Sequence, residues 1–434
     1  MRAMRDSGIE WIGEIPQEWS TIRLRSRFSF GKGLPITKAD LTESGIGVVS
    51  YGQIHSKANI GTTIKPELIR YVDCKYLNSN ASSLVNNGDF IFADTSEDIS
   101  GCGNCVYVDA NGPLFAGYHT MILRPVEELS TKYYSYLFAT DAWRSQIRAQ
   151  ASGVKLFSIT QKMLRDALLI EPSEEEKVQI VKYLDEKCEA IDALITAKEK
   201  TNALLKERRQ SIIYEAVTKG LNPDAPMKDS GIEWIGKIPQ DWQIAKVKHV
   251  YSFQTGWTPS TSNAAYFDGD LPWANISDIG KTKTIYDTAK HITEEAVANS
   301  SMGISPKGSL MYSFKLSVGD VSFCGTDMYT NEAIATFLPS DKYDLRYLYY
   351  AAPLFIIKNA NENIYGAKLL NQELIRNALI LNPPYNEQVS VANYLDAKCA
   401  EIDALISANE ATIKKLKEYR QSIIYEAVTG KIEI

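Results

Sequence analysis

Along residues 174–218 apolar side chains return at alternating steps of three and four, through Val181, Leu184, Cys188, Ile191, Ile195, Leu205, Ile212 and Ala216. Lys198, Asn202 and Arg209 break the seam without breaking its spacing. That period keeps one face of an α-helix apolar. Pro172-Ser173 supplies a start, and neither Gly nor Pro interrupts 174–218. Gly220 followed by Pro223 supplies the stop. The seam recurs as Ala392, Leu395, Cys399, Ile402, Ile406, Asn409, Ile413, Leu416, Arg420, Ile423 and Ala427. At 1.5 Å per residue each helix is about 65 Å long, and an antiparallel coiled coil is the simplest way to bury two such seams in one chain.

The pattern shortens elsewhere. Residues 48–51, 89–92, 104–108 and 119–123 read as strands bounded by Gly, Asn and Asp turns, and so do 309–313, 321–323 and 333–337. Aromatic helices are predicted over 133–149 and 345–359. The expected fold class is α+β, with two domains of mixed or antiparallel sheet joined by the two long helices.

The chain repeats itself. Residues 6–19 return as 229–242 with only Glu14/Lys237 and Glu18/Asp241 differing, and residues 209–218 return unchanged as 420–429. The first pair lies 229 − 6 = 223 positions apart and the second 420 − 209 = 211, so the whole length change of 12 falls in the divergent middles. The unit is too long for a solenoid. It is a duplicated domain plus arm, for which pseudo-twofold packing is expected. The boundaries read 1–170 for the first domain, 171–220 for its helix, 221–381 for the second domain and 382–434 for the second helix.

Composition narrows the class. A hydrophobic fraction of 44% over 434 residues supports real cores. No apolar run reaches the roughly 18 to 20 residues of a membrane span, so a cytoplasmic protein with reduced cysteines is expected. The net charge of −6 argues against nucleic acid at face value. However, residues 20–169 carry 16 basic against 13 acidic side chains, so the acidity sits mainly in the arms and repeated segments.

For a nucleic-acid partner, base reading would require polar side chains on loops. Gln53, His55, Lys57, Lys155 and Ser158 in the first half, and Thr258, Ser260, Asn275, Ser277 and Lys368 in the second, lie on Gly-flanked or polar loops, where divergent specificity would reside. Tails that agree even at polar positions suggest two equivalent partner-docking sites, formed by Arg209, Gln210, Tyr214 and Glu215 and by Arg420, Gln421, Tyr425 and Glu426. Cys102-Gly103-Asn104-Cys105 has metal-ligand spacing but no second pair, and reads as a turn. No metal, cofactor or catalytic set is expected.

The Ser-Gly-Ile-Glu-Trp-Ile-Gly-x-Ile-Pro-x-x-Trp opening, the Asn382-Pro383-Pro384-x-x-Glu387-Gln388 helix start, the Tyr-Leu-Asp-x-Lys-Cys stretches at Tyr183 and Tyr394, and the Arg-Gln-Ser-Ile-Ile-x-Glu-Ala-Val-Thr tails resemble the specificity subunit of a type I restriction-modification system. The resemblance covers essentially the whole chain. It implies that each variable domain reads one half of a bipartite double-stranded DNA target while the helices set the unread gap. It also implies no catalytic centre of the chain's own, and partnership with two methyltransferase subunits and two restriction/translocase subunits. One alternative stands beside it. Asn382-Pro383-Pro384-Tyr385 matches the motif by which N-methyltransferases grip a target amino group, which would make the chain a DNA adenine methyltransferase. The first half lacks the motif, and no Phe-x-Gly-x-Gly cofactor loop occurs.

Overall fold

The computed structural model describes residues 2–59, 61–127, 130–300, 303–362 and 366–434. The chain divides into two compact units, Met1–Lys198 with Glu410–Ile434, and Glu199–Asn409. Each unit is α+β.

In the first unit Cys105–Tyr107, Phe90–Ala93, Thr120–Pro125 and Phe28–Lys32 form an antiparallel sheet in that order. A second, mixed sheet runs Leu41–Thr42, Arg70–Val72, Ile46–Val49, Leu114–Ala116, Leu84–Val85, with Ile46–Val49 and Leu114–Ala116 parallel. Phe90 and Phe92 belong to one core and Ile91 to another, because successive side chains of a strand face opposite ways. That division explains a continuous apolar run with no polar face.

The second unit repeats the device. Its main sheet runs Phe253–Thr255, Ile334–Phe337, Leu310–Ser313, Val321–Cys324, Thr284–Ile285. Leu310 and Tyr312 face one core while Met311 faces the other.

The aromatic segment expected as one helix over 133–149 is two, Lys132–Ala139 and Asp141–Arg148. Thr140 makes the break: its Oγ1 accepts from the Trp143 amide at 3.2 Å, capping the second helix. In the second unit Leu345–Phe355 is α-helical and Ile356–Asn359 finishes as a 3-10 turn.

The long helices are Glu174–Lys219 and Tyr385–Val428. In the second unit they run antiparallel, with Asn409 Nδ2 donating to Asn202 Oδ1 at 2.8 Å and Arg209 Nε lying 3.1 Å from Asp403. The first unit holds the repeat-equivalent ion pair, Arg420 to Asp192 at 3.0 Å. The buried face differs from the expected seam at its ends. Val181 and Ile212 are only half-buried, whereas Ile180, Ile213, Val217, Ile424 and Val428 are buried. The last turns meet the globular cores as well as the other helix, so their apolar face widens.

Below the first helix start, Lys177 is wholly buried. Its ammonium donates to Glu171 at 2.7 Å, Glu174 at 2.7 Å and the Tyr134 hydroxyl at 2.9 Å. At the equivalent place Gln388, 1% exposed, donates to Asn382 Oδ1 at 3.1 Å and to the Pro383 carbonyl at 2.9 Å. One repeat therefore fills this site with an ion pair and the other with two amides.

Candidate nucleic-acid interface

The first unit gathers its candidate loops around a polar cleft of about 990 Å³ lined by Gln53, His55, Lys57, Lys38, Arg70 and Arg148, with Tyr51 and Tyr118 among the walls. Gln53 sits in the short helix Tyr51–Ile54, and its Oε1 accepts the Ser50 amide at 2.9 Å, so its NH2 is the group left for a ligand. His55 is fully committed: Nε2 meets the Thr95 carbonyl at 2.9 Å and Nδ1 meets the Asn104 amide nitrogen at 3.0 Å. Both ring nitrogens are thus held by the protein, which makes His55 a support for the cleft. Lys57 is exposed, as are Lys155 and Ser158. Ser158 pairs with Thr95 across the sheet, which ties its hairpin to the residue that holds His55.

Local reading of the sequence missed the cations Lys38, Arg70 and Arg148 and the ring of Tyr118. They come from segments up to 95 positions from Gln53, as 148 − 53 gives. No local spacing connects them; only the sheet does. Arg148 donates to the Ser100 carbonyl at 2.7 Å and to Asp141 at 2.9 Å. The Ser100 hydroxyl, followed by the Gly101 amide, lowers the pKa of Asp98 on the same wall. Burial raises that of Tyr118.

In the second unit Thr258 Oγ1 donates to Glu332 at 2.5 Å, and that bond holds the carboxyl below its ordinary range. An ionised carboxylate on a loop is an acceptor suited to the cytosine amino group. Asn275 Oδ1 closes a turn by accepting the Ser277 amide and hydroxyl, both at 2.7 Å. The Asn331 amide donates to the Ala274 carbonyl at 3.0 Å, and the Trp257 amide donates to the Thr330 carbonyl at 2.9 Å. These bonds bring the Thr258, Asn275 and Glu332 loops to the end of one parallel strand pair. Ser260 bonds Ser262 at 2.8 Å, and Lys368 pairs with Glu362 across its own hairpin. Tyr365, in the loop that carries Lys368, lies outside the described residues.

The repeated tails face inward and outward at once. Tyr425 donates to the Ile12 carbonyl at 3.1 Å in the first unit, and Tyr214 to the Trp234 carbonyl at 2.8 Å in the second. The buried openings answer them: Trp19 Nε1 donates to Glu176 at 3.1 Å and Trp242 Nε1 to Glu387 at 2.5 Å. Identical tails thus pack on near-identical openings, which accounts for Tyr214, Tyr425 and, through their ion pairs, Arg209 and Arg420. It does not account for Gln210, Ser211 and Glu215 or for Gln421 and Ser422, which are exposed. Glu426, half-buried, accepts from Ser422 at 2.7 Å. Beside the first-unit tail lies a cleft of about 740 Å³ lined by Trp11, Arg420, Gln421, Ser422 and Tyr425. It shares His55, Asn104, Asp141 and Arg144 with the polar cleft.

Asn382 is tied into the frame of the second unit. Its carboxamide oxygen accepts from Gln388, and its backbone closes the strand Leu379–Asn382 against Gln243–Lys246. Cys102 lies in the turn between Ile99–Gly101 and the strand Cys105–Tyr107. Among the described residues no group of three or more His, Cys, Asp or Glu side chains is placed to hold a metal ion.

Two divergent α+β modules, each with polar loops beside a closely repeated frame, define a duplicated recognition protein. The comparisons identify its kind. A family model described as the type I restriction modification DNA specificity domain matches residues 16–206 and again 239–417. The chain belongs to this family and carries its domain twice.

Among its relatives, the Methanocaldococcus jannaschii type I restriction enzyme MjaVIII specificity subunit is 21% identical over 97% of this chain and 94% of its own length. The putative MjaX specificity subunit of the same organism is 23% identical over 98% and 96%. The MjaIX specificity subunit reaches 32%, but over 37% of this chain and 38% of its own length. Two solved structures share the fold. One comes from work on complex assembly and conformational transition of the type I R-M system, with a TM-score of 0.70 and 18% identity over 96% of this chain and 99% of that one. The other is the HsdS subunit from Thermoanaerobacter tengcongensis, with a TM-score of 0.51 and 18% identity over 96% and 98%.

Proposed function

We propose that this type I specificity subunit reads a bipartite DNA target, one half with the first-unit cleft and the other with the second-unit loops, and presents its repeated tails to methyltransferase subunits. Specificity subunits bind DNA and assemble with modification and restriction subunits, and they are not catalytic. Two subunits of each kind, a cytoplasmic setting and the division into readers 1–170 and 221–381 with spacers 171–220 and 382–434 complete the proposal.

The observation that carries it is the partition of the repeat. What is identical between the halves serves the frame and the exposed tail, while what differs lines the cleft and the Thr258–Asn275–Glu332 loops. In the first half Gln53 and Lys57 offer donors to base edges or phosphates, with Lys155 and Ser158 on the neighbouring hairpin. Thr258, Ser260, Asn275, Ser277 and Lys368 do so in the second. The shared wall of the two first-unit clefts puts a partner seated on Arg420, Gln421 and Tyr425 beside the reading surface. No helix of the described residues is long and apolar enough to cross a membrane.

Exchange of residues 20–169 for those of a relative tests this reading by methylome sequencing of the host. One half-site should change and the other should persist. Simultaneous change of both would refute independent readers. The methyltransferase alternative is not favoured, because Asn382 and Gln388 occupy the structural place that Glu171 and Lys177 fill in the first half.

A further inference from the structure

We infer that the hairpin tip Val154-Lys155-Leu156 is an apolar wedge that enters the DNA at a base step of the half-site read by the first unit, with Lys155 on an adjacent phosphate. The inference rests on the proposal that this unit reads DNA. It adds two residues that no polar-loop argument selects.

Val154 is 94% exposed and Leu156 is 56% exposed. Hairpin turns are ordinarily built from Gly, Asn, Asp and Ser, whose backbone or side chains suit the bend. Here only Gly153 answers that need: a Cβ on it would lie 1.9 Å from the Leu156 carbonyl oxygen. Two aliphatic side chains at the tip contribute nothing to the turn and remain in water. Lys155 between them is exposed.

The tip is firmly based. Ser152 pairs with Ser158 and Gly153 with Phe157; Phe157 and Ser158 pair in turn with Ser96 and Thr95. The buried Ile159 donates its amide to the Asp94 carbonyl at 2.9 Å. Thr95 receives His55, and Ser96 lines the cleft that holds Gln53 and Lys57. The wedge therefore stands on the rim of the reading surface. An apolar tip with a flanking cation suits a duplex, whose base steps accept aliphatic side chains and whose phosphates accept the lysine.

The second unit presents a related tip by other means. Lys315 and Leu316 follow the strand Leu310–Ser313, and Leu316 is 87% exposed at φ 57°. A left-handed leucine is a strained choice at an exposed position. The turn is held by the Gly319 amide on the Ser313 carbonyl at 3.0 Å.

The test uses the full chain assembled with its methyltransferase subunits, on a duplex bearing the target found by methylome sequencing. 2-Aminopurine is placed in turn at each position of the first half-site other than the methylated adenine. Wild type should brighten the probe at one step. The double variant Val154→Ser/Leu156→Ser should lose that signal and bind the target about tenfold more weakly, with binding to random duplex unchanged. Lys155→Gln should lower the salt slope of binding by about one, and Val154→Ile/Leu156→Met should restore the signal. Wild-type affinity and signal in the serine variant overturn the wedge and leave the reader standing. Loss of subunit assembly by that variant makes the tip a protein contact and also overturns it. Failure of the wild type to prefer the target over random duplex sinks the underlying reading instead.

Discussion

Lys177→Gln in the first unit should be strongly destabilising, and adding Glu171→Asn should recover most of the loss. The single change removes the cation that donates to Glu171, Glu174 and Tyr134 from a site with no water access. Glu171, 8% exposed at its side chain, keeps the Tyr134 hydroxyl at 2.6 Å and Arg27 at 3.2 Å. Breaking a buried pair from one side costs about 3–5 kcal/mol, and the two remaining partners place this case near about 3 kcal/mol.

The double variant recreates the Asn382–Gln388 solution of the second unit, two neutral amides that can bond each other. Replacing both partners together is close to neutral, about 1 kcal/mol or less. The coupling between the sites should therefore be at least about 2 kcal/mol, the cost of Glu171→Asn alone adding to it, as expected for groups sharing one network. For a unit of this size about 3 kcal/mol lowers Tm by about 6–12 °C. Scanning calorimetry of wild type, both single variants and the double, read on the transition of the first unit, gives the cycle. Equal destabilisation by the single lysine change and the double would refute the reasoning, since it would show that no charge is stranded in the single variant.

Three further outcomes follow from contacts in the first unit and from the proposed spacer. Glu176 is pulled up by burial, but the bonds from Arg2 and the Trp19 indole outweigh that and leave its pKa below the ordinary 4.5. The stability it contributes is then complete above pH 4.5 and lost as the pH falls through the lowered value. Glu176→Gln should lower first-unit stability near pH 7 and flatten the acid limb, so that variant and wild type converge as the pH falls below the lowered value. Gly430→Ala should loosen the second tail from the first opening, because φ is 69° and the new Cβ would lie 2.3 Å from Pro16. Faster hydrogen exchange at residues 420–429 without change at 209–218 is the expected readout. Insertion of four residues after Ala197 adds about 6 Å of helix and nearly preserves the apolar face. Methylated sites should keep both half-sites and gain one or two unread bases, and an unchanged gap would show that the helices do not set it.

What could be read from the sequence follows from how each signal is encoded. The long helices were legible because their burial is periodic and uninterrupted. The strands were legible because Phe90-Ile91-Phe92 and Leu310-Met311-Tyr312 are short apolar runs with turns on either side. The break at Thr140 was not, since a cap inside an aromatic run leaves the helical period intact. The widened faces at Ile180, Ile213 and Ile424 were also hidden, because a seam argument considers one helix packing on another and not a helix end packing on a domain. Among the site residues, loops declared themselves by Gly and polar content, yet the cations Lys38, Arg70 and Arg148 reach the cleft only through strand pairing between distant segments.

The repeat supplied the reverse case. It marked the openings and tails as constrained without saying by what. The contacts of Tyr214, Tyr425, Trp19 and Trp242 now assign part of that constraint to folding. Since Gln210, Ser211, Gln421 and Ser422 are exposed and still identical, packing leaves them unexplained, and the proposed docking of two equivalent subunits rests on those side chains. Variants confined to these four should therefore weaken assembly with methyltransferase subunits while leaving the unfolding transitions of both units in place; a shift in those transitions would return the tails wholly to the fold.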